Sequence, residues 1–303
     1  MDRVEVVLRR DDEEAVGIAA LVSAATEALG HRPLDDETWR ELVAGRPAGD
    51  AAFLARLPHA TELVGYAQLD RGSKSWGLSY VLDPGATDAL SIGRSLCRAA
   101  LGFVAGEGGG LVRSWVRLPT VTSDGIAASV GMTAERQLHQ MRRPLPVEAV
   151  PSQPIATRPF RAGVDDPAFL ELNNRAFAGH PEQGAWRPET LARRERAPWF
   201  DPAGLLLHER DGRMLAFCWT KVHDLEPPVG EIYVLGVDPD AQDRGLGQAM
   251  LHAGLAHLSG KGLRMAMLYV DAANVRATRL FRDAGFEIDH DDRAYVGRVE
   301  AAR

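Results

Sequence analysis

One stretch limits what this chain can become more than any other: Gly230 to Gln248, GEIYVLGVDPDAQDRGLGQ. Glu231 to Val237 is rich in β-branched and aromatic residues, which suit a half-buried pleated surface, and it reads as a strand. Asp238-Pro239 ends it. Gln242 to Gly247 then forms a short loop with two glycines. A helical pattern starts at once, with Leu246, Met250, Ala253, Leu255 and Leu258. A strand, a small-residue loop and a helix start together are one way to bind phosphate, since backbone N–H groups can approach the anion and the helix N-terminus favours negative charge; the plainer reading is a tight strand-to-helix connection. The dinucleotide fingerprint G-x-G-x-x-G and the P-loop G-x-x-x-x-G-K-[ST] are both absent here.

The rest of the chain reads as two halves. Strand 4–8 precedes a helix over 11–29, with acids in its first turn and Gly30 at its end. Asp35-Asp36 caps a helix over 38–43. Strands follow at 53–57, 62–69 and 76–82, then a helix at 88–105, a strand at 112–117, a helix at 124–130 and a strand at 133–142. Pro144 to Pro154 holds four prolines in eleven residues and reads as an extended linker. Then the order restarts: a strand at 155–158, helices at 165–177 and 188–196, and strands at 205–209 and 214–222 around a turn at Asp211-Gly212. After the opening stretch come a strand at 264–270, a helix at 274–283 and a last strand region at 286–296. Ile92-Gly93 falls on Leu246-Gly247 with an offset of 246 − 92 = 154, and Gly131-Met132 falls on Gly285-Phe286 with 285 − 131 = 154. A shared period of half the chain predicts two copies of one α/β unit. Between Asp83-Pro84 and Ile92-Gly93 the first copy reads GATDALS, without Gln-x-x-Gly-x-Gly, so it is expected to hold phosphate poorly.

Composition narrows the classes. A chain of 303 residues has material for about two domains. A net charge of −7 argues against a general binder of nucleic acid or membrane surfaces. Cys97 and Cys218 are the only cysteines, which excludes a disulfide framework and suits a reducing cytosol. MDRVEVVLRRDDEE has no apolar core for a signal peptide, and no apolar run approaches the ~20 residues of a membrane span. His180, His223 and His257 show no ligand spacing, so no metal is expected.

The second copy holds the unusual polar residues. Asn173 to Gly184 is a polar loop, Lys221 and His223 end an otherwise apolar strand, Glu231 begins the key strand, and Asn274 and Arg279 follow Tyr269. Plainer roles stand beside the chemical ones. Glu182 suits a loop cap, Lys221 a strand-edge charge, Glu231 an exposed strand-start acid, and Tyr269 a core position.

The loop at Gln242 to Gly247 resembles the pyrophosphate loop of the GNAT acetyltransferases, which bind acetyl-CoA. A-F-A-G-H-P-E-Q-G at Ala176 to Gly184 with Trp186, Ala197 to Pro202, W-T-K-V-H at Trp219 to His223 and L-Y-V-D-x-x-N-V at Leu268 to Val275 are similar to the mycothiol synthase family. The match covers nearly all of 155–297 and the first half more thinly. The resemblance implies an α/β fold, a tandem repeat of two GNAT-type domains, each a mixed, mostly antiparallel sheet flanked by helices. It implies an N-terminal domain over 1–143 with a degenerate acyl-CoA loop, a linker over 144–154, and a catalytic domain over 155–303. It further implies acetyl transfer from acetyl-CoA to the cysteinyl amine of cysteinyl-glucosaminyl-inositol, the last step of mycothiol biosynthesis. A cytoplasmic monomer is expected, with a small thiol-sugar as partner and neither nucleic acid nor membrane.

Roles follow position by position. Leu235, Gly236 and Val237 would pair with the pantetheine arm and acetyl group. Gln242, Asp243, Arg244, Gly245, Leu246, Gly247 and Gln248 would hold the pyrophosphate. Asn274, Val275, Arg276, Ala277, Thr278 and Arg279 would contact the CoA end. Asp36, Glu182, Lys221, Glu231 and Tyr269 would contact the thiol-sugar, with Glu231 also the catalytic base. The family commonly has Glu at the position of Asp36. GNAT enzymes often carry L-Y-x-x-x-G-F, with the tyrosine as general acid, after the Asn helix; this chain has Leu280-Phe281 and then Gly285-Phe286, so Phe281 lacks the hydroxyl and Tyr295 or Tyr233 would have to replace it. Two other readings stay open: a tandem GNAT enzyme for another amine, and a non-catalytic acyl-CoA-binding regulator.

Overall fold

The protein was analysed as a computed structural model, which describes residues 4–9, 14–34, 36–43, 49–72, 74–146, 155–180, 183–242 and 245–302, with backbone alone at 36, 37, 40 and 41. Compactness groups Met1–Leu138 with Asp291–Arg303 as one unit and His139–His290 as another. Residues 291–303 thus pack with the first unit, although sequence order puts them in the second copy.

The first unit starts with β1 (Glu5–Leu8), α1 (Ala15–Leu29) and α2 (Asp36–Val43). Then come β2 (Ala51–Arg56), β3 (Leu63–Arg71), β4 (Trp76–Leu82), α3 (Ala89–Gly106), β5 (Gly110–Arg117), α4 (Val121–Ser129) and β6 (Thr133–Pro144), which passes into the second unit at His139. Gly30 ends α1 at φ 71°, the left-handed cap that only glycine adopts without cost. The helix begins at Ala15 and has no acid in its first turn, so the acids expected there, at 11–13, lie outside the described residues. Strands β1 to β4 pair antiparallel in order. Strand β4 runs parallel to β5 at Trp76↔Val112 and Gly77↔Arg113. Two cores cover the two sheet faces, one with Leu96, Ala100 and Val104 of α3, the other with Ile18, Leu21 and Val22 of α1.

The second unit comprises β7 (Arg158–Pro159), α5 (Asp166–Ala176), α6 (Pro188–Glu195), β8 (Leu205–Arg210), β9 (Arg213–His223), β10 (Val229–Val237), α7 (Leu246–Gly260), β11 (Met265–Asp271), α8 (Val275–Asp283) and the start of β12 (Glu287–Val299). From Asp291 onward β12 belongs to the first unit, where it pairs antiparallel with β5. Strands β7 to β10 are antiparallel neighbours, and β10 runs parallel to β11 at Gly230↔Ala266 and Glu231↔Met267. These parallel contacts repeat those of the first unit at the expected offset, 230 − 76 = 154 and 266 − 112 = 154. The expected turn at Asp211-Gly212 is present, with φ of 54° and 74°.

Period-2 alternation decides which face each side chain of β9 meets. Ala216 and Cys218 pack toward Met250, Leu251 and Leu255 of α7. Phe217 and Trp219 pack with Phe169 and Leu172 of α5, Trp186 and Leu191. The same alternation sends Lys221 and His223 to the Trp219 face. Strand β10 adds an irregularity: its register with β9 shifts between Ile232 and Val234. Ile232 therefore joins the α7 core, Tyr233 and Val234 both join the aromatic face, and Leu235 and Val237 return to the α7 side.

Candidate active site

Beyond Glu231↔Met267 the parallel pairing of β10 with β11 stops, while β10 stays paired with β9 as far as Val237. The two strands part, and the open edge of β10 faces a cleft of about 400 Å³. Leu235, Gly236 and Val237 line one side, and Gln242, Gly245, Leu246, Gly247 and Gln248 line the end. Asn274, Arg276, Ala277, Leu280 and Phe281 form the other side, and Ala176 and Phe177 complete it. An open strand edge offers alternating N–H and C=O groups to an extended chain.

The end of the cleft is built for an anion. Gly245 precedes α7 at φ 74°, and among the described residues no side chain caps the helix. The first N–H groups of α7 have no partner within the helix, and they open into the cleft. A Cβ on Gly245 would meet nothing within 4 Å, and one on Gly247 would come no nearer than 3.7 Å to another atom, so these glycines keep the approach clear. Gly236 serves packing instead: a Cβ there would lie 2.3 Å from Phe217 Cε1. These features suit a pantetheine arm along β10 and a pyrophosphate on the helix start. Two tethers hold the loop. Arg276 Nη1 donates to Gln242 Oε1 at 3.1 Å. The Asp238 carboxylate, 2% exposed, accepts from Arg175 Nη2 at 2.9 Å and Arg213 Nη2 at 2.8 Å. Both arginines also reach Asp240, and Arg175, then Arg213, hold its carboxyl below the ordinary carboxylate value.

At the closed end of the parting strands, Glu231 is only 6% exposed. The exposed strand-start role is therefore excluded. His223 Nε2 lies 2.7 Å from its Oε2. Lys221, opposite Glu231 in register, places its ammonium 5.1 Å from the Trp199 ring centre and 6.0 Å from that of Tyr233. Cation–π attraction favours that placement. Arg194 stacks on Trp186 at 4.0 Å and donates through Nε to the Tyr233 hydroxyl at 3.2 Å. This face is thus polar at its rim and aromatic beneath.

The Acetyltransferase (GNAT) family model matches residues 167–286. A mycothiol acetyltransferase of Thermobispora bispora is 45% identical over 292 residues, which is 94% of this chain and 95% of that protein. A mycothiol acetyltransferase of Acidimicrobium ferrooxidans is 41% identical over 294 residues, 94% of each chain. The chain belongs to the mycothiol acetyltransferase family. The solved structures agree on the fold: a GCN5-related N-acetyltransferase from Sphaerobacter thermophilus has a TM-score of 0.72 at 22% identity, covering 100% of this chain and 98% of that one. A tandem GNAT protein from the clavulanic acid biosynthesis pathway has a TM-score of 0.70 at 16% identity, covering 99% of this chain and all of that one. The chain is a tandem of two GNAT-type α/β domains, and it is an N-acetyltransferase.

The positions singled out in this family member fall in several places. Leu235, Gly236, Val237, Gln242, Gly245 to Gln248, Asn274, Arg276 and Ala277 line the cleft. Val275 and Arg279 are exposed, Arg279 facing Asp283, and Thr278 is buried; none of the three lines the cleft. Asn274 caps α8, its side chain accepting from Ala277 N. Tyr269 is 37% exposed, so it is not a core residue, and its hydroxyl accepts from Gln140 Nε2 at 2.6 Å. Asp36 opens α2 of the first unit. Glu182, Asp243 and Arg244 lie outside the described residues. Phe281, 7% exposed, stacks edge-on with Phe286. Tyr295 is buried in the first unit with its hydroxyl on Asp124, and burial raises its pKa, so it is committed elsewhere. Tyr233 instead lies on the aromatic face beside Lys221. Sequence reasoning missed Trp199, Arg194 and Tyr233 as parts of this face. The alternation of β9 was the signal that could have placed Lys221 and His223 on it.

Among the described residues no group of three or more His, Cys, Asp or Glu is placed to hold a metal ion, and no helix is long and apolar enough to cross a membrane. Cys97 and Cys218 are free and buried, and burial pushes both thiols up to about 12.

Proposed function

We propose that the protein moves the acetyl group of acetyl-CoA to the cysteinyl amine of cysteinyl-glucosaminyl-inositol, the last step of mycothiol biosynthesis. The observation that carries this reading is the cleft along Leu235 to Val237 that ends on the start of α7, with the buried carboxylate of Glu231 on the same strand, where its parallel pairing with β11 stops. The family's name supplies the substrate class. In this reading the N–H groups at the start of α7 hold the pyrophosphate, and the open edge of Leu235 to Val237 holds the pantetheine arm. A backbone N–H in that stretch polarises the thioester carbonyl. An α-amino group has a pKa of about 7.7–8.0, so most of it is protonated at pH 7. Glu231 accepts that proton, directly or through a water, and the freed amine attacks the carbonyl carbon. The C–N bond forms, the C–S bond breaks, and the thiolate of CoA leaves. A thiol pKa of about 8.5 makes that thiolate a tolerable leaving group without a tyrosine at Phe281.

Glu182, Lys221 and Tyr269 are proposed to contact the thiol-sugar. The first domain is proposed to be degenerate. Asp88 supports this: its carboxylate accepts from Ser91 N at 3.1 Å, so the start of α3 already carries a negative cap where, among the described residues, α7 has none. A monomer is proposed. Two free, buried thiols support a cytoplasmic location.

The test is CoA release from acetyl-CoA by the purified protein with cysteinyl-glucosaminyl-inositol, compared with a panel of simple amines. Turnover confined to the thiol-sugar is expected. Equal turnover on simple amines moves the assignment to another amine, and acetyl-CoA binding with no turnover moves it to a non-catalytic regulator.

A further inference from the structure

Glu231 faces an unusual neighbour. A carboxylate so deeply buried needs hydrogen bonds to remain ionised. Lys221 stands directly opposite in register, yet its ammonium lies over the rings of Trp199 and Tyr233. Among the described residues the side chain hydrogen-bonded to Glu231 is His223, the last residue of β9. The register explains the reach. His223 sits opposite Val229, two residues before Glu231, so the two are diagonal neighbours on one sheet face.

We propose that His223 is a positioning residue for Glu231; this rests on the acyl-transfer reading above. The terminal torsion of a glutamate is soft and turns broadly. A donor fixed on Oε2 holds the carboxylate plane and leaves Oε1 for the substrate ammonium or its bridging water. The imidazole donates Nε2–H while neutral, so it orients the carboxylate without the full counter-charge that would weaken it as a base. An ammonium at the same distance would favour the ionised form strongly and reduce its pull on a proton. Turning Lys221 onto the aromatic rings keeps that charge off the base.

The first unit shows what the fold needs without the chemistry. The position matching Glu231 is 231 − 154 = 77, a glycine, and its antiparallel neighbour is Asp70. Continuing that register through Arg71↔Trp76 brings Gly72 opposite Ser75, the position that matches Val229, so Gly72 stands where His223 stands. The strands pair there with glycine at both places. The His223–Glu231 pair is therefore not a requirement of this sheet.

The test compares His223→Leu, which has no donor, His223→Gln, which keeps a neutral N–H donor, and Glu231→Gln. Two readouts are taken: steady-state kinetics with cysteinyl-glucosaminyl-inositol, and the imidazole ¹⁵N shifts of His223 in wild type and Glu231→Gln. We expect His223→Leu to lower kcat by about 10–100-fold, a part of the factor a positioned base supplies. The KM for acetyl-CoA should stay within about twofold, because His223 does not line that cleft. His223→Gln should recover most of kcat. The wild-type spectrum should show a protonated Nε2 at neutral pH whose shift moves in Glu231→Gln. Full kcat in His223→Leu overturns the proposal, as does an equal fall in both His223 variants, which marks a merely structural role. If wild type does not turn over on the thiol-sugar, the substrate reading fails on its own. The NMR arm then decides the pair: an unprotonated Nε2, or no change in Glu231→Gln, overturns it.

Discussion

Replacing Asp238 tests whether the acyl-CoA loop is held by charge. Asp238 is the first residue after β10, and its 2% exposed side chain accepts three bonds: from Arg175 of α5, from Arg213 of β9, and from Asp240 N at 2.9 Å. Asp238→Asn keeps the shape and one acceptor oxygen but turns an amide NH₂ toward one arginine. It forfeits one charge-assisted bond, worth roughly 1.5–3 kcal/mol. The low end applies, because Arg175 and Arg213 are 36% and 52% exposed and can turn to water. Asp238→Ala removes all three bonds. Breaking a fully buried pair costs about 3–5 kcal/mol, and the exposed arginines bring the expected loss to about 3 kcal/mol. At roughly 2–4 °C per kcal/mol for a unit of this size, thermal unfolding of the second unit should start about 6–12 °C lower. The released loop should also weaken acetyl-CoA binding, by roughly fivefold to tenfold, or about 1 kcal/mol. Differential scanning calorimetry and isothermal titration with acetyl-CoA measure the two effects. A change under about 0.5 kcal/mol in Asp238→Ala refutes the network as an anchor. Full destabilisation with unchanged acetyl-CoA affinity makes it a scaffold that the loop does not need.

Glu231→Gln should lower kcat by about 10²–10⁴ with little change in acetyl-CoA KM, measured by CoA release; full turnover removes the base assignment. Phe281→Tyr restores a hydroxyl to the cleft wall and should change kcat by less than about tenfold; a gain beyond 10² shows that departure of the thiolate needs an acid after all. Asp165 is buried, and Arg158 above all, then Arg161, hold its carboxyl well below the ordinary carboxylate range against the opposing pull of desolvation. Its folded value lies below its unfolded value of about 3.9, so the stability it contributes is complete above about pH 4 and is lost as pH falls through the folded value. Urea unfolding of wild type and Asp165→Asn should therefore differ equally at pH 7 and at pH 5, and begin to converge only below about pH 4, closing as pH falls through the folded value; a gap that stays constant to pH 3 refutes the pairing.

Features set by neighbouring residues were legible in the chain. Gly30 closes α1, Asp211-Gly212 turns the β8–β9 hairpin, and Gly131 and Gly285 both adopt positive φ at equivalent helix ends. Local backbone chemistry decides each of these. The 154-residue offset was also legible, because it repeats the same punctuation twice. Features set across the sheet were not. The register shift at Ile232/Val234 turns Tyr233 and Val234 onto one face, and no local pattern announces it. Asp238 read as a strand terminator, yet its main partner lies 63 residues away on another helix. Trp199 sits in a short loop after α6, and only the fold brings it over Lys221. The return of residues 291–303 to the first unit depends on pairing with β5, which sequence order alone does not encode.

The comparison of the two copies carries the functional argument further than either copy alone. Both part their parallel strands at equivalent positions, so the cleft is a property of the fold. What differs is what stands at its two ends. In the first unit the helix start is capped by Asp88 and the closed end carries Gly77. In the second the helix start is Gly245, without a side-chain cap among the described residues, and the closed end carries Glu231. A capping carboxylate and a bound phosphate compete for the same N–H groups, so the change at Asp88 alone should suffice to weaken anion binding. The absence of a base at Gly77 alone should suffice to stop proton transfer. The first copy differs from the second at both ends, so changing one end is expected to be insufficient: Asp88→Gly should gain acetyl-CoA affinity in the first domain without adding any turnover to a Glu231→Gln background.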